Sequence, residues 1–371
     1  MAVTIVCRPA FFQCFSDMTP SARKAISIWL LFTALCVFGM IVLGGLTRLT
    51  ESGLSIVHWK PFTGTLPPMT VEAWQAEFEA YRTSPQYTQV NFGMTLEEFK
   101  GIFWLEYLHR LAGRAIGFVF LLPFLWFAAR KQLTKPLSFK LAGLFLLGGL
   151  QGVIGWYMVK SGLIDVPSVS PYRLALHLGT AFVLLGALIW VALDLRKDEK
   201  MLAETTPLPR WVLNSVIALN IIIFVQVLLG ALVAGLDAGL AYNTFPLMDG
   251  HWVPNGLYVM EPAWRNHFEN VTMVQFQHRI GAYITTFAIV AFVVAVWKQT
   301  HKVTIGSRLK RYLMLLSAAL VVQMALGIMT LLGGVPIMLA SKHQAVAALL
   351  FAIAIGMWHH IRSFSMKERQ I

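Results

Sequence analysis

The chain has 371 residues, 57% of them hydrophobic and only 13% charged, where a soluble domain carries about 25% charged residues. That deficit excludes an ordinary soluble protein. The formal charge of +12 is what cytoplasmic loops of a membrane protein collect, so it needs no nucleic acid as partner.

The three cysteines are Cys7, Cys14 and Cys36. Two lie in the N-terminal tail and one in the first apolar run, with no CxxC pattern, so neither a disulfide framework nor a thiol redox motif is expected. Residues 1–25 lack the small-x-small site of a cleaved signal. The first apolar run is therefore read as a retained span.

Apolar runs fall at 26–46, 107–129, 139–160, 173–194, 211–235, 276–297, 311–332 and 338–361. Each is long enough to cross a hydrocarbon core of about 30 Å as a helix. Basic residues mark alternate connections: Arg23 and Lys24; Arg130, Lys131, Lys135 and Lys140; Arg196, Lys197, Lys200 and Arg210; Lys298, Lys302, Arg308, Lys310 and Arg311; Arg362, Lys367 and Arg369. Both termini are then expected in the cytoplasm. The predicted architecture is an all-α integral membrane protein of eight transmembrane helices.

Two outward loops are long, at about 47–105 and 236–275. In the first, Val71, Trp74, Phe78 and Tyr81 recur at helical spacing and predict a short helix lying on the surface. Thr95 and Glu98 form a capping box leading into the second span. The second loop is rich in Gly, Pro and aromatic residues, as loops that fold over a site often are.

The two halves resemble each other. Val42–Leu54 aligns with Leu228–Leu240; His109 and His278 are 169 positions apart, and His177 and His343 are 166 apart. An internal repeat of four helices follows. Because four is even, both copies have the same orientation, related by an axis along the membrane normal. The division expected is an N-terminal tail 1–25, a first half 26–195, a linker 196–210, a second half 211–361 and a tail 362–371.

The four histidines stand where spans 2, 4, 6 and 8 are entered from outside. A neutral imidazole is a strong iron ligand, and two on facing helices can hold a haem from both sides. Small residues near them, Gly113, Gly179, Gly281 and Ala347, would admit a flat macrocycle. A lone interfacial histidine is ordinarily solvated or capping, so both readings stay open on the residues alone. His58, His251, His267, His301, His359 and His360 are given that ordinary reading.

Arg110 and Arg279 follow His109 and His278 on the outer side, where they either pair with haem propionates or snorkel to lipid phosphates. Arg48 and Arg114 have a weaker version of the same case. Glu106 lies three residues before His109, whereas Gln275 precedes His278. An ionisable carboxylate at a membrane site is a functional candidate, so chemistry is expected in the first half and a static cofactor in the second. Gln151, Gln226 and Gln323, inside spans 3, 5 and 7, are expected to bond between helices. Nucleotide-binding glycine loops, HExxH and Gly-x-Ser-x-Gly are missing.

Four stretches then carry a resemblance: Glu106-x-x-His109-Arg110; Tyr172-Arg173-Leu174-Ala175-x-His177-Leu178; Ala234-Gly-Leu-Asp-Ala-Gly-Leu-Ala-Tyr-Asn-Thr-Phe-Pro-Leu-Met-Asp-Gly250; and Gln275-Phe276-x-His278-Arg279. From about residue 25 onward the chain resembles the haem A synthase family, in its proteobacterial and mitochondrial branch. The resemblance implies two four-helix halves in a bacterial inner membrane. It implies oxidation of the C8 methyl of haem O through an alcohol to the formyl group of haem A. It also implies a resident haem b on the iron ligands His278 and His343, substrate haem flanked by His109 and His177, and a functional Glu106. By the family's logic a haem O synthase is a partner; the electron-transfer partner, the oxygen source and homo-oligomer formation stay open. Some bacterial members carry a cysteine pair in the first outer loop. This chain has none there, so a thiol relay through that loop is not expected.

Two rival classes remain. A bis-histidine dihaem cytochrome explains the histidines but not the Glu106/Gln275 difference. A transporter of two repeats would place its polar site near mid-membrane.

Overall fold

A computed structural model describes residues 18–59, 63–163, 167–196, 208–299 and 306–365. Cys7, Cys14, Lys197, Lys200, His301, Lys302, Lys367 and Arg369, with most of the expected linker and tails, lie outside the described residues.

The described residues are all-helical apart from one isolated bridge between Met248 and His251. Eleven α-helices follow in chain order: α1 (Pro20–Leu49), α2 (Val71–Arg82), α3 (Pro85–Gln89), α4 (Leu96–Ala129), α5 (Lys135–Gly162), α6 (Pro171–Asp194), α7 (Arg210–Gly235), α8 (Asn266–Glu269), α9 (Val271–Gln299), α10 (Ser307–Leu332) and α11 (Ile337–Ser365). Eight of them, α1, α4, α5, α6, α7, α9, α10 and α11, are long and apolar enough to cross a membrane. They contain all eight predicted apolar runs.

Consecutive long helices pack in two rings. In the first, α1, α4, α5 and α6 touch in order and α6 returns to α1; in the second, α7, α9, α10 and α11 do the same. The rings meet through α1, α6, α7 and α11. These inner helices supply most of the main core, including Ile26, Leu30, Phe182, Leu188, Val212, Val216 and Ala354. Helix α4 buries least of its apolar stretch and shows Phe118, Leu122 and Trp126 outward, as a lipid-facing helix does.

Polar stitches run within each ring and, at His359, between them. Pro123 lacks the N–H that would bond the Val119 carbonyl one turn earlier. The Trp29 indole of α1 donates to that carbonyl at 2.8 Å and packs on Phe120 and Phe127. The Ser27 hydroxyl donates to Ala192 O, and the Asn220 amide donates to Ala354 O. At the opposite end from the four histidines, His359 Nε2 lies 2.8 Å from Asp194 Oδ1, both buried, and His360 is buried beside Tyr312. The ordinary solvated reading of these two histidines is thereby corrected: each packs inside the helix interface.

The capping box forms as expected. Thr95 Oγ1 accepts from Glu98 N, and Glu98 accepts from Thr95 N. This starts α4 well before the apolar run, so His109 lies more than three turns inside the helix and not at its start. Helix α2 also forms, capped by Thr70. Its apolar face lies on the extension of α4, with Trp74 against Phe103 and both Phe78 and Tyr81 against Phe99. Tyr81 is fully buried, which fixes α2 on protein and not on a lipid surface.

Candidate functional site

His177, His278 and His343 sit six, seven and six residues into α6, α9 and α11, which places them at matching depth. All four histidines are half-buried. His109 and His177 are close enough to interact electrostatically, as are His278 and His343. His109 and His177 belong to the first ring of helices, and His278 and His343 to the second.

Each ring lies against a glycine of the preceding long helix. A Cβ at Gly44 would lie 3.2 Å from His109 Nε2, at Gly155 2.9 Å from His177 Cε1, at Gly230 3.2 Å from His278 Cε1, and at Gly327 2.8 Å from His343 Cε1. The small residues expected to admit a macrocycle, Gly113, Gly179 and Gly281 among them, lie on the histidines' own helices. Those glycines do other work: Gly179 faces Leu228, Gly281 makes room for the Gln226 amide, and Gly113 faces Met40. The signal that could have found the true seats is Gln-x-x-x-Gly, at 151–155, 226–230 and 323–327.

The expected interhelical role of the three glutamines is observed. Gln151 Nε2 donates to His177 O at 2.8 Å; Gln226 Nε2 donates to His278 O at 2.9 Å and lies 3.1 Å from its Nδ1; Gln323 Nε2 lies 3.3 Å from His343 Nε2.

Glu106 is buried and is not a solvated interfacial group. It accepts from Ser55 Oγ at 2.7 Å and Ile56 N at 2.8 Å through Oε2, and from Arg110 Nη2 at 2.6 Å and Nε at 3.0 Å through Oε1. Four donors converge on a group with about four lone-pair sites. Arg110 also donates to Ile56 O and lies over the Trp59 ring. The loop that meets Glu106 leaves α1 through Glu51, whose φ is 53°, and the 3₁₀ turn Ser52–Leu54.

The second half builds the same corner. The chain leaves α7 through Asp237, with φ 50°, and the 3₁₀ turn Ala238–Leu240. Gln275, equally buried, donates to Ala238 O at 2.9 Å and Tyr242 O at 3.2 Å. Arg279 donates to the carbonyls of Tyr242 and Thr244 at 2.8 Å and of Leu247 at 3.2 Å. These bonds tie residues 242–247 of the second outer loop to the helix of His278. Farther along that loop, Arg265 and Tyr172 hold the Glu269 carboxyl below its ordinary range.

Two contacts join the sites. Arg48 of α1 pairs with Asp237 at 2.8 Å. Gly44 seats His109 while its neighbour Gly45 lies against Gln344, the residue after His343, whose amide donates to Ile41 O. Among the described residues no group of three or more His, Cys, Asp or Glu could hold a bare metal ion. Paired imidazoles are the remaining donors, and they suit a metal that arrives inside a macrocycle.

The sequence profile of the COX15-CtaA family, described as cytochrome oxidase assembly protein, matches residues 27–355. The chain is 50% identical over 347 residues to a haem A synthase of Nitrosospira multiformis, covering 94% of this chain and 96% of that one. It is 48% identical over 343 residues to a haem A synthase of Parvibaculum lavamentivorans, covering 92% and 95%. The haem A synthase COX15 of Arabidopsis thaliana is 45% identical over 352 residues, covering 92% of this chain and 76% of the plant protein. The chain belongs to the haem A synthase family.

The residues present fit the haem that a haem A synthase binds. Four glycines leave the space beside four rings that any Cβ would fill. Nδ1 of His177 and of His343 is buried without a hydrogen-bond partner. Iron bound at one imidazole nitrogen would leave the proton on the other, and these two orphaned Nδ1 atoms are free to carry it.

Proposed function

We propose that this protein is a membrane haem A synthase that oxidises the C8 methyl of haem O to a formyl group, by successive hydroxylations through the alcohol. The observation that carries this reading is the pair of like-built histidine sites, one with Glu106 at its corner and the other with Gln275. In this reading His278 and His343 hold a resident haem b, whose iron supplies one-electron redox chemistry when bound. His109 and His177 flank the substrate haem.

The chain is taken as two parallel four-helix repeats, 26–195 and 211–361, with cytoplasmic termini and all four histidines toward the outer face of a bacterial inner membrane. The matched left-handed residues Glu51 and Asp237, each followed by a 3₁₀ turn, support the repeat. The basic connections support the orientation.

Turning a methyl into a formyl group inserts one oxygen and withdraws electrons and protons. Glu106 is the carboxylate placed to take part in proton transfer or to offset positive charge near that methyl. Its bonds to Ser55 and Ile56 fix it, and Arg110 balances its charge. Arg110 and Arg279 keep the loops in place through their present bonds. They present positive charge one residue after each histidine, where propionates would lie.

An insoluble substrate favours direct transfer from a haem O synthase. With water as the oxygen source the conversion releases four electrons to an acceptor, and with successive dioxygen-dependent hydroxylations it draws electrons from a donor, so an electron-transfer partner is needed in either case. The deciding experiment is to identify the haems extracted from purified protein. Haem b together with haem O, its alcohol or haem A supports the reading. Haem b alone, in a form that does not convert added haem O, favours a dihaem electron carrier.

A further inference from the structure

Three of the four histidines share an arrangement that the fourth lacks. On α5, α7 and α10 a glutamine stands one turn before the glycine that seats the ring, as Gln151/Gly155, Gln226/Gly230 and Gln323/Gly327. Each amide nitrogen bonds the histidine of the next long helix, at its backbone oxygen, its ring or both. In all three the amide Oε1 is buried and has no hydrogen-bond partner. On α1 the corresponding pair is Met40 and Gly44, which seats His109.

A histidine that ligates through one nitrogen needs an acceptor at the other. That outer partner fixes the ring's orientation and raises its basicity. In this structure the amide nitrogen faces the histidine: it holds the backbone carbonyl of His177 and of His278 and lies at the ring edge of His278 and of His343, and a methionine, having no N–H on its side chain, does neither. Both ligands of the His278/His343 site have an amide beside them. In the His109/His177 site only His177 does. A resident cofactor has no reason to leave, but a substrate haem must enter and its product must go.

We propose that Gln151, Gln226 and Gln323 are positioning residues that clamp His177, His278 and His343 as axial ligands, and that Met40 leaves His109 as the exchangeable ligand of the substrate site. This rests on the reading of the two sites as haem sites. It adds an asymmetry between them that is independent of Glu106 and Gln275.

The test uses full-length protein purified in detergent with its haem, in the variants Gln226→Met, Gln323→Met and Met40→Gln. Two readouts are taken besides activity: the rate of haem transfer to an excess of apomyoglobin, and the low-spin fraction by absorption and electron paramagnetic resonance. Each glutamine variant is expected to lose the resident haem roughly tenfold faster or more and to gain a high-spin component. Met40→Gln is expected to slow loss of haem from the first site by a similar factor. Wild-type transfer rates and spin state in the glutamine variants would overturn the clamp. An unchanged first-site rate in Met40→Gln would overturn the role of Met40. Should one glutamine variant fail to accumulate, the other decides, because the two back opposite ligands of one iron. Wild-type protein that binds no haem at all would instead remove the underlying site reading.

Discussion

After α1 the chain turns through Glu51 and presents the Ser55 hydroxyl and Ile56 N–H to Glu106; after α7 it turns through Asp237 and presents the Ala238 and Tyr242 carbonyls to Gln275. The scaffold is alike and the polarity is reversed. A loop backbone carries donors and acceptors in alternation, so a small change in which group faces the helix decides whether a carboxylate or an amide is satisfied there. The electrostatic result differs as well. In the first half Arg110 is matched by Glu106, while in the second Arg279 is met by carbonyl oxygens and the Gln275 amide. One corner holds a compensated ion pair and the other an uncompensated cation, which suits a reacting site and a site that only retains an anionic macrocycle.

The largest effect on this contrast is expected from removing one of the proposed ligands. His278→Ala should lower resident haem occupancy by roughly tenfold or more and abolish conversion, whereas His109→Ala should abolish conversion with the resident haem retained; a pyridine haemochrome assay separates the two. Next, Glu106→Gln should reduce haem O conversion by about 100-fold or more with the resident haem spectrum unchanged. Unchanged turnover would take Glu106 out of the chemistry. The reverse change, Gln275→Glu, sets a carboxylate against two carbonyls and should cost about 2 kcal/mol or more, read as a lower melting temperature with no gain of activity.

A glycine pair probes the ring seats. Gly327→Ala puts a Cβ 2.8 Å from His343 Cε1 and should displace the ring, shifting the absorption bands of the resident haem. Gly148→Ala meets nothing within 4 Å and should leave those bands alone while changing stability by at most about 1 kcal/mol. The smallest effect expected is that of Thr95→Ala. It removes the capping box at a cost of about 1 kcal/mol, visible as faster hydrogen exchange over residues 96–100.

Much of the candidate site is legible in the sequence. Hydropathy alone located eight spans, because a helix crossing lipid must be apolar along its whole length. The histidine pairs and the Glu106/Gln275 difference were legible because repetition exposes what is kept and what is changed. The ring seats were not, because a glycine on a neighbouring helix has no fixed sequence distance from the ring it admits. The surroundings of Glu106 were hidden for the same reason: Ser55 and Ile56 lie some fifty positions away. Periodicity marks helix α2, but it does not say whether an apolar face meets lipid or protein.

The all-helical membrane class, the recurrence of the four histidines in two like halves of the sequence and the oddness of Glu106 are each written in composition, spacing or a local pattern. Packing alone settles that Glu106 is buried in an ion pair, that each ring rests on a glycine of the preceding long helix, and that three of the four histidines are bonded by a glutamine amide of that helix. Those facts depend on which helices become neighbours, and that is settled by packing across the whole chain.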